Sequence, residues 1–120
     1  MEKNLIVKHL NSVEKKRVEM EEAIGVSVQK PITTADGTPV YSFRVFTIEA
    51  GGTTPYHNHA WEHLNYIITG RGALVDADGT EHPVEQGDFA MVLPDEKHCY
   101  KNTADDAELV MICAVPKENE

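Results

Sequence analysis

From Gly25 onward the chain alternates short apolar-rich runs with clusters of Gly, Pro, Asp, Asn and Thr. Alternation with a period near two belongs to half-buried strands, and the intervening clusters carry turn chemistry. The pattern predicts strands at Val26–Ile32, Val40–Ala50, His63–Thr69, Gly72–Asp76, His82–Val84, Phe89–Leu93, His98–Asn102 and Leu109–Val115. Turns fall at 35–39, 50–55, 77–80, 85–88, 94–96 and 102–107, and Asp78-Gly79 between two short runs is a direct hairpin signal. No long amphipathic helix interrupts the series, which argues against an α/β fold and for an all-β one. Such a chain must protect its strand edges, and a double-layered jelly-roll barrel of about eight strands does so by closing the sheets. The preceding segment, Val13 to Ile24, is rich in Lys and Glu and reads either as a helix or as a solvated arm. The expected organisation is an N-terminal arm over 1–24 and one barrel domain over 25–120.

Against this pattern one cluster stands out. His57, His59 and His63 lie within seven residues, beside a Gly-Gly turn. In an extended chain all three would share one face, and Glu62 would point away. His98 comes much later, at the start of another expected strand, so only folding can join it to the others. Neutral imidazole is a favoured ligand for zinc, nickel, copper, iron and manganese. Four such rings would leave two positions open on an octahedral ion, for water, dioxygen or a chelating substrate. With no carboxylate among them, they would leave the ion its full positive charge. His9 and His82 are isolated and read as ordinary surface histidines. Cys99 has the opposite parity to His98 and is not counted as a ligand.

Composition narrows the partners. Of 120 residues, 11 are Lys or Arg and 20 are Asp or Glu, for a net charge of −9. A phosphate backbone or an anionic membrane would be repelled over most of such a surface, so neither nucleic acid nor membrane is an expected partner. Two cysteines without metal-finger spacing suit a reducing compartment. The first ten residues lack the features of a signal peptide, and the longest apolar run, Leu109 to Val115, is too short to span a bilayer. A cytoplasmic protein is expected.

The same residues resemble the cupin family. Its first motif is commonly written G(X)5HXH(X)3,4E(X)6G. Gly51, His57-Asn58-His59 and Gly70 match it, with His63 standing where the glutamate would be. Its second motif, G(X)5PXG(X)2H(X)3N, is matched by Gly87, Pro94, His98 and Asn102, with one extra residue before Pro94 and Glu96 at the glycine position. The stretch HNHAWEHLNYIITG is similar to small single-domain cupins whose manganese-type site uses four histidines. The strands FRVFTIEAGG at 43–52 and LVMICAVPKE at 109–118 extend the likeness, to roughly residues 25–118. The resemblance implies a jelly-roll barrel, often homodimeric, holding one divalent ion in its mouth: manganese first, with iron, nickel, zinc and copper as alternatives. It leaves the reaction open, because the family spans many chemistries.

Strand parity suggests what would surround the ion. Arg44, Phe46 and Ile48 share one face of their strand, Met111 and Cys113 share a face of theirs, and Tyr100 has the parity of His98. Arg44 and Tyr100 are the candidate catalytic residues. An inward Arg44 would suit a small substrate with an acidic group, whereas an outward one would be a surface charge. Phe46, Ile48, Met111 and Cys113 also read as plain core. Glu62 could accept a histidine N–H or be solvated. Trp61 and Tyr66 are expected outside the barrel mouth, at a dimer contact. Three functions follow. A metal-dependent oxidoreductase, dioxygenase-like and acting on a small organic substrate, fits best, since no histidine near the metal is left as a base. A Lewis-acid isomerase or lyase would have only Tyr100 and Glu62 for proton transfer. A non-catalytic small-molecule-binding module is the third.

Overall fold

The computed structural model describes residues 5–120. Nine strands form one curled, wholly antiparallel sheet that makes a half-barrel, the all-β jelly-roll architecture expected. They are β1 (Lys16–Arg17), β2 (Ile24–Ile32), β3 (Tyr41–Thr53), β4 (His63–Thr69), β5 (Arg71–Val75), β6 (Glu81–Glu85), β7 (Phe89–Val92), β8 (Cys99–Lys101) and β9 (Leu109–Pro116). The main path runs β6-β5-β8-β3-β9-β4-β7, with β2 on β3 and β1 on β2. No helix among the described residues is long and apolar enough to cross a membrane.

Two departures from the expected elements have physical causes. The Lys/Glu-rich segment is neither a helix nor a free arm: Lys16 and Arg17 pair with Val28 and Ser27 and extend the sheet. Beside them, Gln29 is buried and donates to the carbonyls of Leu10 and Val13, so residues 10–13 lie over one edge of the outer face. The second departure is β3, which runs on through the Gly-Gly pair expected to be a turn. Gly51 adopts φ +75°, which a glycine takes without strain, and the register slips opposite it between Ile24 and Val26. A Cβ on Gly52 would stand 2.5 Å from the Ile24 carbonyl oxygen, so only glycine lets β2 come so close. The glycines bend the strand rather than end it.

Across the centre of the sheet the side chains stack in rows. Phe46, Met111 and Ile67 are register partners on β3, β9 and β4, and with Ile48, Leu109, Val26, Val84 and Tyr100 they build the apolar floor. Ile48, Ile67 and Leu109 are fully buried, which removes apolar surface from water at the rate of about 25 cal/mol per Å². One row nearer the mouth, Arg44, Cys113 and Asn65 are partners across the same three strands. His63 opens β4 one row further out, on the same face as Asn65 and Ile67.

Candidate metal centre

His63 belongs to a regular strand, but His57 and His59 do not. The segment between β3 and β4 is irregular, and His57 makes only an isolated bridge with His98. Strand parity is therefore not what gathers the rings. Backbone hydrogen bonds between two distant segments do so. The His57 N–H donates to the His98 carbonyl at 3.1 Å and the His98 N–H returns the bond at 3.0 Å. Asp95 N–H then donates to the His59 carbonyl at 2.7 Å, from a residue whose φ is +67°. The turn after β7 is thus fastened to the turn before β4, and each carries histidines.

Nitrogens of His57, His59 and His98 lie within 4.8 Å of one another, a spacing that fits shared ligation of one ion. Nε2 of His63 lies 2.7 Å from Nε2 of His59, and the two rings are nearly parallel, 4.4 Å apart. The His63 and His98 ring centres are 5.2 Å apart. Two imidazoles at right angles on one ion, with bonds of roughly 2.1 Å, would have nitrogens about 3.0 Å apart. The observed separation is close to that value.

Hydrogen bonds at the far side of the rings set which nitrogen is free. His59 Nδ1 donates to the Trp61 carbonyl at 2.9 Å and His98 Nδ1 to the Glu96 carbonyl at 2.8 Å. A neutral ring carries one N–H, so Nε2 of each presents a lone pair to the centre. His63 Nδ1 has a different partner, Sγ of Cys113, at 3.2 Å. Burial lowers the proton affinity of His57, His59 and His63. For His63, burial aided by the neighbouring His59 and Arg44 pushes the pKa down to about 3. These are rings held neutral, as ligation requires.

Arg44 points inward. Its guanidinium lies 4.9 Å over the Phe46 ring and its Nη2 donates to Cys113 Sγ at 3.4 Å. Its Nε is buried with no hydrogen-bond partner among the described residues. Tyr100 also points inward. Its hydroxyl donates to Asn65 Oδ1 at 2.9 Å, and burial raises its pKa, so it stays a neutral donor. Trp61 is a correction to its expected place outside the mouth: its ring stacks on His59 at 4.2 Å and 7°, with its Nε1 buried. Tyr66 lies on the outer face against Phe89, 4.6 Å between ring centres. Glu62 is half-buried and takes part in none of the histidine hydrogen bonds described. Sequence reasoning missed Asn65, whose parity with His63 was a usable signal, and it assigned Cys113 no contact with a histidine. Asn102, the last residue of the second motif, is structural. Its amide donates to the Ile48 and Ala107 carbonyls and its oxygen accepts from Ala104 N–H, closing the turn after β8. His82 stays outside the cluster, exposed and paired with Asp76.

The comparisons agree with this architecture. The profile of the cupin domain family (Cupin_2) matches residues 44–115, and the chain belongs to that family. A particular likeness is to the polyketide cyclase RemF from Streptomyces resistomycificus: 26% identity, TM-score 0.88, covering 94% of this chain and 80% of that one. A predicted oxalate decarboxylase from Thermotoga maritima superposes with TM-score 0.81 at 21% identity, covering 92% and 98%. Ectoine synthase from P. lautus does so with TM-score 0.73 at 23% identity, covering 94% and 78%. Among curated proteins, none matches the sequence.

Proposed function

We propose that the chain is a metal-dependent enzyme acting on a small organic substrate, with one divalent ion held by His57, His59, His63 and His98. The observation that carries the reading is the convergence of imidazole nitrogens, two of which, on His59 and His98, belong to rings whose outer N–H is already committed to a backbone carbonyl. Manganese is the ion the family resemblance favours. The donor set also suits iron, nickel, zinc and copper. When bound, a redox-active ion would supply electron transfer toward dioxygen and a Lewis acid for a substrate oxygen. The chain supplies the rest. Arg44 offers a buried N–H without a partner, which suits an anionic oxygen such as a carboxylate or enolate. Phe46, Met111 and Ile67 give the substrate an apolar floor. Tyr100 donates a hydrogen bond to Asn65 and stiffens the wall. A groove of about 560 Å³ between the β5–β6 hairpin and β7 reaches His98 and gives a small molecule an approach.

An oxidoreductase of dioxygenase type is the first reading, because every nearby imidazole is engaged and Tyr100 is held protonated, leaving no evident base. The likeness to a polyketide cyclase favours a second reading, Lewis-acid catalysis of ring closure or elimination. Exchanging the ion separates them: turnover with manganese that stops with zinc and consumes dioxygen supports the first reading, and anaerobic turnover with zinc supports the second. We also propose a cytoplasmic homodimer, joined through the outer face of β3, β9, β4 and β7.

A further inference from the structure

The three ring contacts at the far side of the histidines are not alike. His59 and His98 give their Nδ1 protons to backbone carbonyls, which only accept. His63 meets a thiol, which both donates and accepts. That difference matters because of the 2.7 Å between Nε2 of His59 and Nε2 of His63. Two bare nitrogens do not rest so close, so either a proton or a cation lies between them. His59 cannot supply the proton, since its single N–H is committed to Trp61. With a proton between the rings, it sits on His63 Nε2, and His63 Nδ1 is bare and accepts the Cys113 S–H. With a cation between them, His63 Nε2 is the bare atom, Nδ1 carries the hydrogen, and Cys113 Sγ accepts it. The ring and the thiol stay neutral in both cases: one proton leaves Nε2 for solvent and one returns from solvent to Nδ1. A carbonyl at this place would lock His63 in one tautomer, whereas the thiol serves both.

We propose that Cys113 is a positioning residue for the fourth ligand, a reversible hydrogen-bond partner that lets His63 turn its lone pair to the ion. It rests on the metal-centre reading and deepens it. Arg44 completes the arrangement. Its Nη2 donates to the same sulfur at 3.4 Å, so the group that would meet a substrate anion and the group that orients His63 share one atom. Cys113 is fully buried at the middle of β9, between Arg44 and Asn65 in register, which fixes its sulfur at this junction.

The test uses Cys113→Val, which stays apolar and removes the hydrogen bond while adding one methyl group, beside Cys113→Ser, which keeps a donor and acceptor. Val115→Ala serves as a packing control on the same face of β9. The full chain is titrated with Mn²⁺ and with Zn²⁺, and the His63 tautomer is read from ring ¹⁵N–¹H correlations of the zinc-loaded protein. The expected result is a loss of about 10- to 100-fold in ion affinity for Cys113→Val. Cys113→Ser should stay within a few-fold of the parent, Val115→Ala should be unchanged, and His63 of the zinc-loaded parent should be protonated on Nδ1. Parental affinity in folded Cys113→Val, an equal loss in Cys113→Ser or Val115→Ala, or a His63 proton on Nε2 with zinc bound would each overturn the inference. Should the parent itself bind neither ion, the metal-centre reading would fail, a distinguishable outcome.

Discussion

At the scale of single residues, the chemistry rests on how cheaply each ring stays neutral. His63 has its pKa pushed down to about 3 from an ordinary 6.5, and burial also lowers His57 and His59. Below pH 6.5 the unfolded chain takes up protons that these folded rings refuse. Unfolding is therefore favoured as pH falls, and the effect vanishes above the ordinary histidine pKa, where both states are neutral. In the presence of a chelator, the urea midpoint should be level from pH 8 to 7 and fall between about pH 6.5 and 5. His63→Gln should flatten that fall. A midpoint indifferent to pH across that window would contradict the assignment of these rings as buried and neutral. For the three carboxylates with lowered pKa, Asp36, Asp76 and Glu120, the unfolded chain takes up protons only near the ordinary values of 3.8 to 4.5, below that window, so they do not confuse the reading.

At the scale of elements, the sequence pattern carried most of the strands but not their joints. β4 begins and ends at the expected residues, because the run HLNYIIT is rich in β-branched and aromatic residues and has a glycine after it. The Gly-Gly pair misled, since glycine marks a bulge as readily as a turn and only the partner strand decides which. The histidine cluster was legible as residue types at a spacing. Its assumed cause, strand parity, was not the operating one: His57 and His59 sit in an irregular segment held by bonds to His98 and Asp95, and such long-range pairing leaves no local trace. Lys16 and Arg17 escaped for a related reason. Two exposed charged residues carry no strand signal of their own, and pairing with β2 alone makes them one.

At the scale of the whole molecule, charge and apolar surface are segregated. The chain carries −9. Yet Tyr41 and Phe43 on β3, Leu64 on β4, and Phe89 and Met91 on β7 are all at least 43% exposed on one face of adjacent strands, with uncharged Ile112 and Ala114 of β9 between them. Apolar faces of this kind commonly mark contact sites, and two acidic copies repel least where neither presents charge. The proposed homodimer joins there. Met91→Lys and Phe89→Lys together should convert a dimer into a monomer in sedimentation, without loss of fold by circular dichroism. A parent that sediments as a monomer at micromolar concentration, or a double variant that remains dimeric, would place the contact elsewhere or remove it.

The measurement that bears most directly on the account is the metal content of the protein purified without added ion and then titrated with Mn²⁺, set beside His59→Ala and His98→Ala. One divalent ion per parent chain is predicted, with binding abolished or weakened by orders of magnitude in both variants although they stay folded. A parent that takes up no transition ion, or variants that hold it as tightly as the parent, would contradict the centre built from these rings.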